Sequence, residues 1–293
     1  MRGPLHRFRG GFTRHSPASP RVGPMIDNPR SPKVRAVQKL AKRKARQETG
    51  LFLVEGPQAV VEVAAFHPEL LVELYVTSRL MERGTPYVEA ALEAGAEVHT
   101  VSEQVLATMA DTVTPQGVIA VCRTLPTTVA SIVTSKPRLV AVLHEVRDPG
   151  NAGTIVRAAD AAGADAVILT GDTVDVYNPK VVRSTTGSLF HLPVAQGRLL
   201  DVVQALRKAG LTILATDLQG EELPTIRDVL AQPTAWIFGN EAHGLDAEAV
   251  GLADRAVRLP IYGHAESLNL ATAASVCLYE SAFAQRAESS HIS

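Results

Sequence analysis

The chain has 293 residues, 29 basic and 30 acidic side chains and 46% hydrophobic residues, enough for about two domains with real cores and against wholesale disorder. Two cysteines exclude a disulfide framework, no Cys/His group has zinc-ligand spacing, and no apolar run approaches the roughly 18 residues of a membrane-spanning helix. Aromatic residues make up only 4%, which argues against a surface that works mainly by stacking on bases.

The near-zero net charge hides a split. Residues 1–48 carry 13 basic and two acidic side chains, net +11, and the remaining residues carry 16 and 28, net −12. A basic arm on an acidic body points to a polyanionic partner, and a solvated terminal tail is the plainer alternative. Residues 1–24 hold four prolines and no acid, and residues 1–30 read as a disordered basic tail. The arginines of that tail also suggest a transit peptide, or an upstream start with Met25 as the natural beginning, although the prolines spoil an amphipathic helix. From Pro32 the apolar positions Val34, Val37, Leu40 and Ala41 recur at helical spacing, predicting one helix over 33–46. Around them Lys33, Arg35, Lys39, Lys42, Arg43, Lys44 and Arg46 are candidate phosphate contacts.

From residue 50 the periodicity alternates. Strands are predicted at 51–54, 70–76, 97–101 and 118–122, with helices at 56–65, 88–94 and 103–109, giving a small α/β unit over 31–123. Residues 124–137 read as a linker with at most a helical turn. A second α/β series fills 138–288. Its strands are predicted at 139–143, 166–169, 189–194, 212–215, 235–238 and 256–259, and its helices near 151–162, 179–187, 199–209, 246–251 and 269–287. Such alternation implies a mainly parallel sheet covered on both faces.

Three segments of this second unit carry chemistry, each at a strand end. The first runs Glu145-Val-Arg-Asp-Pro-Gly-Asn-Ala-Gly-Thr-Ile-Val-Arg157 and opens a helix, an anion-friendly place. Asn151 is placed as its N-cap, Gly153 allows a close backbone approach, and Arg157 is spaced to pair with Asp160. The second is Phe238-Gly-Asn-Glu-Ala-His-Gly-Leu245, which sets Glu241 at the carboxyl end of a strand, where open α/β sheets bind ligands; a solvated polar turn is the alternative. The third is Leu259-Pro-Ile-Tyr-Gly-His-Ala-Glu-Ser-Leu-Asn269, where Ser267 or Asn269 can cap the last helix. Neither a dinucleotide-binding nor a P-loop glycine pattern is present, which removes support for a nucleotide-cofactor oxidoreductase.

Together, N-x-x-G-x-x-x-R, G-N-E-x-x-G-L and L-P-I-x-G-x-x-x-S-L-N resemble the three motifs of the SpoU/TrmH family of the SPOUT superfamily. These enzymes are S-adenosylmethionine-dependent RNA ribose 2′-O-methyltransferases. The unit at 31–123, with its L-F-L-V-E-G-P run, is similar to the RNA-substrate-binding domain of many rRNA-modifying members, itself like a ribosomal-protein fold. The resemblance implies a trefoil-knotted C-terminal domain, a homodimer with the RNA site shared between subunits, no metal, no membrane and a cytoplasmic location. It implies that Arg157, Asn151, Glu241, Ser267 and Asn269 form the active site. It implies further that Thr216, Gly220, Gly239, Asn240, Leu259, Ile261 and Leu268 surround the cofactor, with 216–220 as a closing loop. Ala242 stands where the family usually has glycine. The appended domain favours ribosomal RNA over tRNA; a non-catalytic RNA-binding or ribosome-assembly protein on the same fold is the other reading.

Overall fold

Apolar runs of four to six residues, interrupted by helical periods, build two sheets. The computed structural model describes residues 22–83 and 86–289. The first unit contains β1 (Val22–Ile26), α1 (Pro32–Lys39), α2 (Arg43–Thr49), β2 (Leu51–Glu55), α3 (Pro57–Phe66) and β3 (Leu71–Thr77). It continues with α4 (Ser78–Glu82), α5 (Pro86–Glu93), β4 (Glu97–Val101), α6 (Glu103–Met109) and β5 (Val118–Arg123). Its sheet has the order β1-β4-β3-β5-β2, parallel from β1 to β3 and antiparallel beyond.

The second unit contains α7 (Val129–Thr134), β6 (Leu139–His144), α8 (Pro149–Ala162), β7 (Ala166–Thr170), α9 (Pro179–Thr185), β8 (Val194–Gly197) and α10 (Leu199–Lys208). It closes with β9 (Thr212–Glu222), α11 (Arg227–Leu230), β10 (Thr234–Phe238), α12 (Ala247–Gly251), β11 (Arg255–Arg258) and α13 (Leu270–Ser289). All pairings in its sheet, ordered β11-β9-β10-β6-β7-β8, are parallel. Both faces are covered at the centre, so β6, β7 and β10 read as nearly continuous apolar runs. Along β10, Trp236 and Phe238 enter the core on one face while Ala235 and Ile237 enter the other. The Trp236 indole donates to Ser281 Oγ of α13 at 2.9 Å, fixing the last helix to the centre of the sheet.

The structure departs from the sequence expectations in several places. The tail read as disordered to residue 30 contains β1 at 22–26; glycine at position 23 lets this edge strand approach His99, and Pro24 is tolerated because an edge leaves some N–H groups unpaired. Expectations for residues 1–21 lie outside the described residues. The single basic helix is two, broken at Leu40–Lys42, because Arg46 turns back and donates to the carbonyls of Leu40 and Ala41, both at 2.8 Å. Residues 188–190 form a turn of 3-10 helix, which buries Leu189 and Phe190, and the strand starts only after Pro193. Residues 129–134 of the expected linker are α7, closed by a Thr128/Ser131 capping box, and Ile132 packs into the second unit.

One apolar core runs through both units, joining Phe52, Val54 and Val60 to Leu143, Ile155 and Phe190. Ion pairs frame the junction. Arg46, only 3% exposed, reaches Asp175 at 2.7 Å, and Arg183 reaches Asp111 at 3.1 Å and Glu55 at 3.7 Å. His191 lies between Glu62 and Asp160. Burial pushes the Tyr177 hydroxyl up to about 12, so it stays protonated while accepting the Leu125 N–H at 2.9 Å.

Arg46 thus carries the junction and is no free phosphate ligand. Arg46→Ala leaves a half-buried Asp175 without its cation and frees two carbonyls, and is expected to cost about 3 kcal/mol. Lys44→Ala, at an exposed i,i+4 pair with Glu48, is expected to change stability by less than about 0.5 kcal/mol. Denaturant unfolding of both variants checks the contrast.

Candidate active site

The chain reverses sharply at the end of β10. Asn240 and Gly244 pair through their backbones at 3.0 and 2.9 Å, and a Cβ on Gly239 would collide with the Gly244 and Leu245 backbone, so only glycine fits there. Ala242 does not have a positive φ, and its N–H is held by Asn240 Oδ1 at 2.8 Å; the absence of the family's glycine costs the turn nothing. The Asn240 amide donates to the carbonyl of Glu145 at 2.9 Å, tying the end of β10 to the end of β6. Its side chain therefore braces the loop.

Glu241 then becomes an anchor. Its carboxylate accepts the backbone N–H of Arg147 at 3.2 Å, the N–H of Asp148 at 3.0 Å and the amide of Asn151 at 3.3 Å. Asp148, and not Asn151, caps α8, accepting the Asn151 N–H at 2.8 Å with Pro149 in the first helical position. Asn151 is thereby free to link outward. Because a carboxylate only accepts, the Asn151 amide nitrogen must face Glu241 and its oxygen must face away. That oxygen accepts from Asn269 Nδ2 at 3.0 Å. Asn269 Oδ1 in turn accepts the N–H groups of Ala271 and Thr272 at 2.9 and 3.2 Å, capping α13. A directed chain, Glu241–Asn151–Asn269, joins all three strand-end segments.

The structure leaves two expected residues outside this chain. Ser267 is exposed on the loop before α13. Arg157 is exposed on α8, six residues from Asn151 and so about 120° around the helix; among the described residues it has no ion-pair or hydrogen-bond partner. Asp160, its expected partner, bonds to His191. Gly153 does allow a close approach, but to α9: a Cβ would strike Ser184 and the Val181 carbonyl.

Beside the chain lies a cleft of about 460 Å³ lined by Leu223, Pro224, Leu259, Pro260, Tyr262 and Leu268, among others. Leu259 and Leu268 are among the residues for which the resemblance implies cofactor contacts, and Ile261 sits exposed in the same loop. The expected closing loop at 216–220 is a bulge inside β9, because the pairing with β11 jumps from Ala215 to Glu221. Gly220 packs flat on the Ala256 backbone, and Thr216 Oγ1 donates to the Ile237 carbonyl at 3.1 Å.

The basic segment is divided. Lys33 is tied to Glu97 at 2.8 Å and Glu73 at 3.2 Å, with His99 Nε2 at 2.8 Å. Glu73, Glu97 and His99 are, among the described residues, a group with metal-ligand spacing, and the Lys33 ammonium lies in their midst. Arg35, Lys39, Lys42, Arg43 and Lys44 remain exposed. Sequence reasoning missed Asp148, although the Asp-Pro pair is an N-cap followed by N1, and it missed His191, whose partners lie far along the chain.

Residues 138–279 match the SpoU rRNA Methylase family, and residues 31–120 match the MRM3-like substrate binding domain. The 23S rRNA (guanosine(2553)-2'-O)-methyltransferase RlmP of Bacillus subtilis (strain 168) is 36% identical over 258 residues, 87% of this chain and 97% of its own. An AdoMet-bound rRNA methyltransferase from Sinorhizobium meliloti has a TM-score of 0.79 at 32% identity, covering 89% of this chain and 97% of that one. The SpoU methyltransferase AviRb from Streptomyces viridochromogenes, in complex with AdoMet, has a TM-score of 0.74 at 31% identity, covering 88% and 100%.

A double-mutant cycle on Asn151→Ala and Glu241→Ala checks the chain. The two losses of stability are expected to fall short of additivity by about 0.5 kcal/mol or more, since each variant breaks the same link. Strict additivity would mean the residues act independently.

Proposed function

This chain belongs to the SpoU rRNA methylase family, and from that we propose that the ribose it methylates lies in large-subunit ribosomal RNA. It is an S-adenosylmethionine-dependent RNA 2′-O-methyltransferase. The observation that carries the site is the Glu241–Asn151–Asn269 chain, which holds three strand ends beside a cleft bordered by Leu259 and Leu268. The cleft fits an adenosyl group: apolar side chains such as Leu223, Leu259 and Leu268 can flank a base, and Arg227 and Glu280 at its wall offer polar partners.

S-adenosylmethionine, when bound, supplies a methyl group on a sulfonium, which a ribose oxygen takes by in-line displacement. The protein must therefore orient the 2′-hydroxyl and stabilise its developing charge. Arg157 is the residue for this. An ordinary guanidinium stays protonated far above neutral pH, so its work is to hold a phosphate and the hydroxyl and not to act as a free base. Asn151 and Asn269 fix the starts of α8 and α13, Glu241 fixes the loop 145–148, and Ser267 lies on the loop that borders the cleft. Residues 31–123 present the RNA, with Arg35, Lys39, Lys42, Arg43 and Lys44 supplying sequence-independent attraction.

We further infer a homodimer through the exposed apolar side chains near α13, Tyr262 at 89%, Phe283 at 55% and Val276 at 39% exposure, which also gives Arg157 a site completed by a second subunit. A trefoil knot is supported by the path of the chain: β11 lies at the sheet edge, yet α13 starts beside Asn151 at the centre. No described helix is long and apolar enough to cross a membrane, and we assign the protein to the cytoplasm, with ribosome maturation.

Transfer of labelled methyl from S-adenosylmethionine to ribosomal RNA tests the function; cofactor binding without transfer would favour a ribosome-assembly protein. Arg157→Ala is expected to lower transfer at least a hundredfold with cofactor affinity retained, on the scale of losing one charge-stabilising group, about 10²-fold. Full activity in that variant would remove Arg157 from the mechanism. Replacing Arg35, Lys39, Lys42, Arg43 and Lys44 by Gln is expected to reduce the salt slope of RNA binding by about 0.7 to 0.9 for each phosphate no longer neutralised. An unchanged slope returns the segment to a solvated surface.

A further inference from the structure

The ion pairs between the two domains are not equivalent. Two use the guanidinium groups of Arg46 and Arg183, whereas the third uses the imidazole of His191, a side chain whose ordinary pKa lies in the physiological range. Its Nδ1 lies 2.7 Å from Asp160 Oδ2 on α8, and its Nε2 lies 3.1 Å from Glu62 Oε2 on α3. Ionised carboxylates only accept, so both contacts are hydrogen bonds only when both ring nitrogens carry protons. The surroundings hold this arrangement. The Phe66 ring lies 4.5 Å from the imidazole, the other Glu62 oxygen accepts the Gln58 amide at 2.8 Å, and Gly187, with φ of +103°, leaves no room for a Cβ against Glu62. Glu62 and Asp160 are the charged groups that face the ring.

Asp160 follows Arg157 by three residues on α8, a spacing at which the two side chains are neighbours on the helix surface. They would ordinarily pair. Asp160 is turned to His191 instead, and Arg157 has no partner among the described residues. We propose that His191 is a positioning residue for methyl transfer: anchored on Glu62 of the substrate-binding domain, it withholds Asp160 from Arg157 and leaves the guanidinium free for RNA. The role rests on the assignment of Arg157 to the reacting ribose.

The bridge depends on pH in one direction. Burial alone lowers the pKa of His191, but its hydrogen bonds to Asp160 and Glu62 outweigh this and hold it above the ordinary 6.5. A group raised on folding contributes fully below its unfolded pKa, and the contribution is lost as pH rises through the folded pKa. Above that point the neutral ring has one N–H to share between two carboxylates and no charge to strengthen it, so its hold on Asp160 weakens against the pull of Arg157.

The test is steady-state methyl transfer to ribosomal RNA by the full chain and by Asp160→Asn, His191→Ala and the double variant. His191→Ala is expected to lower kcat about tenfold, with S-adenosylmethionine affinity unchanged, and addition of Asp160→Asn to restore it to within about twofold. A merely structural role predicts no rescue, and a double variant as slow as His191→Ala overturns the proposal. Wild-type kcat divided by that of Asp160→Asn is expected to fall as pH passes the His191 pKa; a flat ratio between about pH 6 and about pH 9 overturns it equally. That ratio needs no His191 variant, so it decides the matter if His191→Ala does not fold. A wild type that binds S-adenosylmethionine but methylates no RNA overturns the function itself. NMR titration of His191 separates that outcome: Glu62→Gln should lower its midpoint if the bridge stands, and an unchanged midpoint overturns the bridge.

Discussion

A carboxylate that accepts two backbone N–H groups and one side-chain amide has little freedom left, and Glu241 is such a carboxylate. Its hydrogen bonds set the orientation of Asn151, whose oxygen can then meet only a donor, and Asn269 provides it while capping α13. The polarity of the chain is fixed at one end by an acceptor-only group and at the other by a helix that needs its first N–H groups satisfied. Three loops that would otherwise move separately are held as one unit. The parallel sheet brings the ends of β6 and β10 side by side, and this chain turns that proximity into a defined geometry.

The second unit depends on the first through a shared apolar core and the cations around it. Phe52 stacks on Phe190 and meets Tyr177 at a tilt, Arg46 is buried on Asp175, and Arg183 spans Asp111 and Glu55. The domain that matches a substrate binding domain is therefore oriented against α8 and α9. Glu55 belongs to the L-F-L-V-E-G-P run and also accepts the N–H groups of Asp111 and Thr112, so one carboxylate shapes a loop of its own domain and meets a cation of the other.

Much of this was legible in the residues. β6, β7 and β10 read as strands because burial on both faces leaves no polar interruption, and α8 was visible from its strand-end turn and its glycine at 163. The motif residues Asn151, Glu241 and Asn269 do converge. Local signals failed where a distant partner decided the conformation. The basic helix breaks because Arg46 finds Asp175 and the carbonyls of Leu40 and Ala41. Asn151 loses the cap to Asp148 because Glu241 claims its amide. Asp160 leaves Arg157 for a histidine 31 positions away. β1 escaped notice because Pro24 and Gly23 read as loop, and an edge strand tolerates both.

The cap of α13 has a consequence for assembly. Asn269 is joined to a residue 118 positions earlier, so the first turn of the last helix is completed by a contact that no local folding step can make. The link from Asn151 to Asn269 exists only after α13 has docked through Ser281 onto Trp236 at the middle of the sheet. The first domain and most of the second sheet can form while the three strand-end loops remain unjoined. The last link of the Glu241–Asn151–Asn269 chain closes in one late step, when α13 settles on the centre of the sheet.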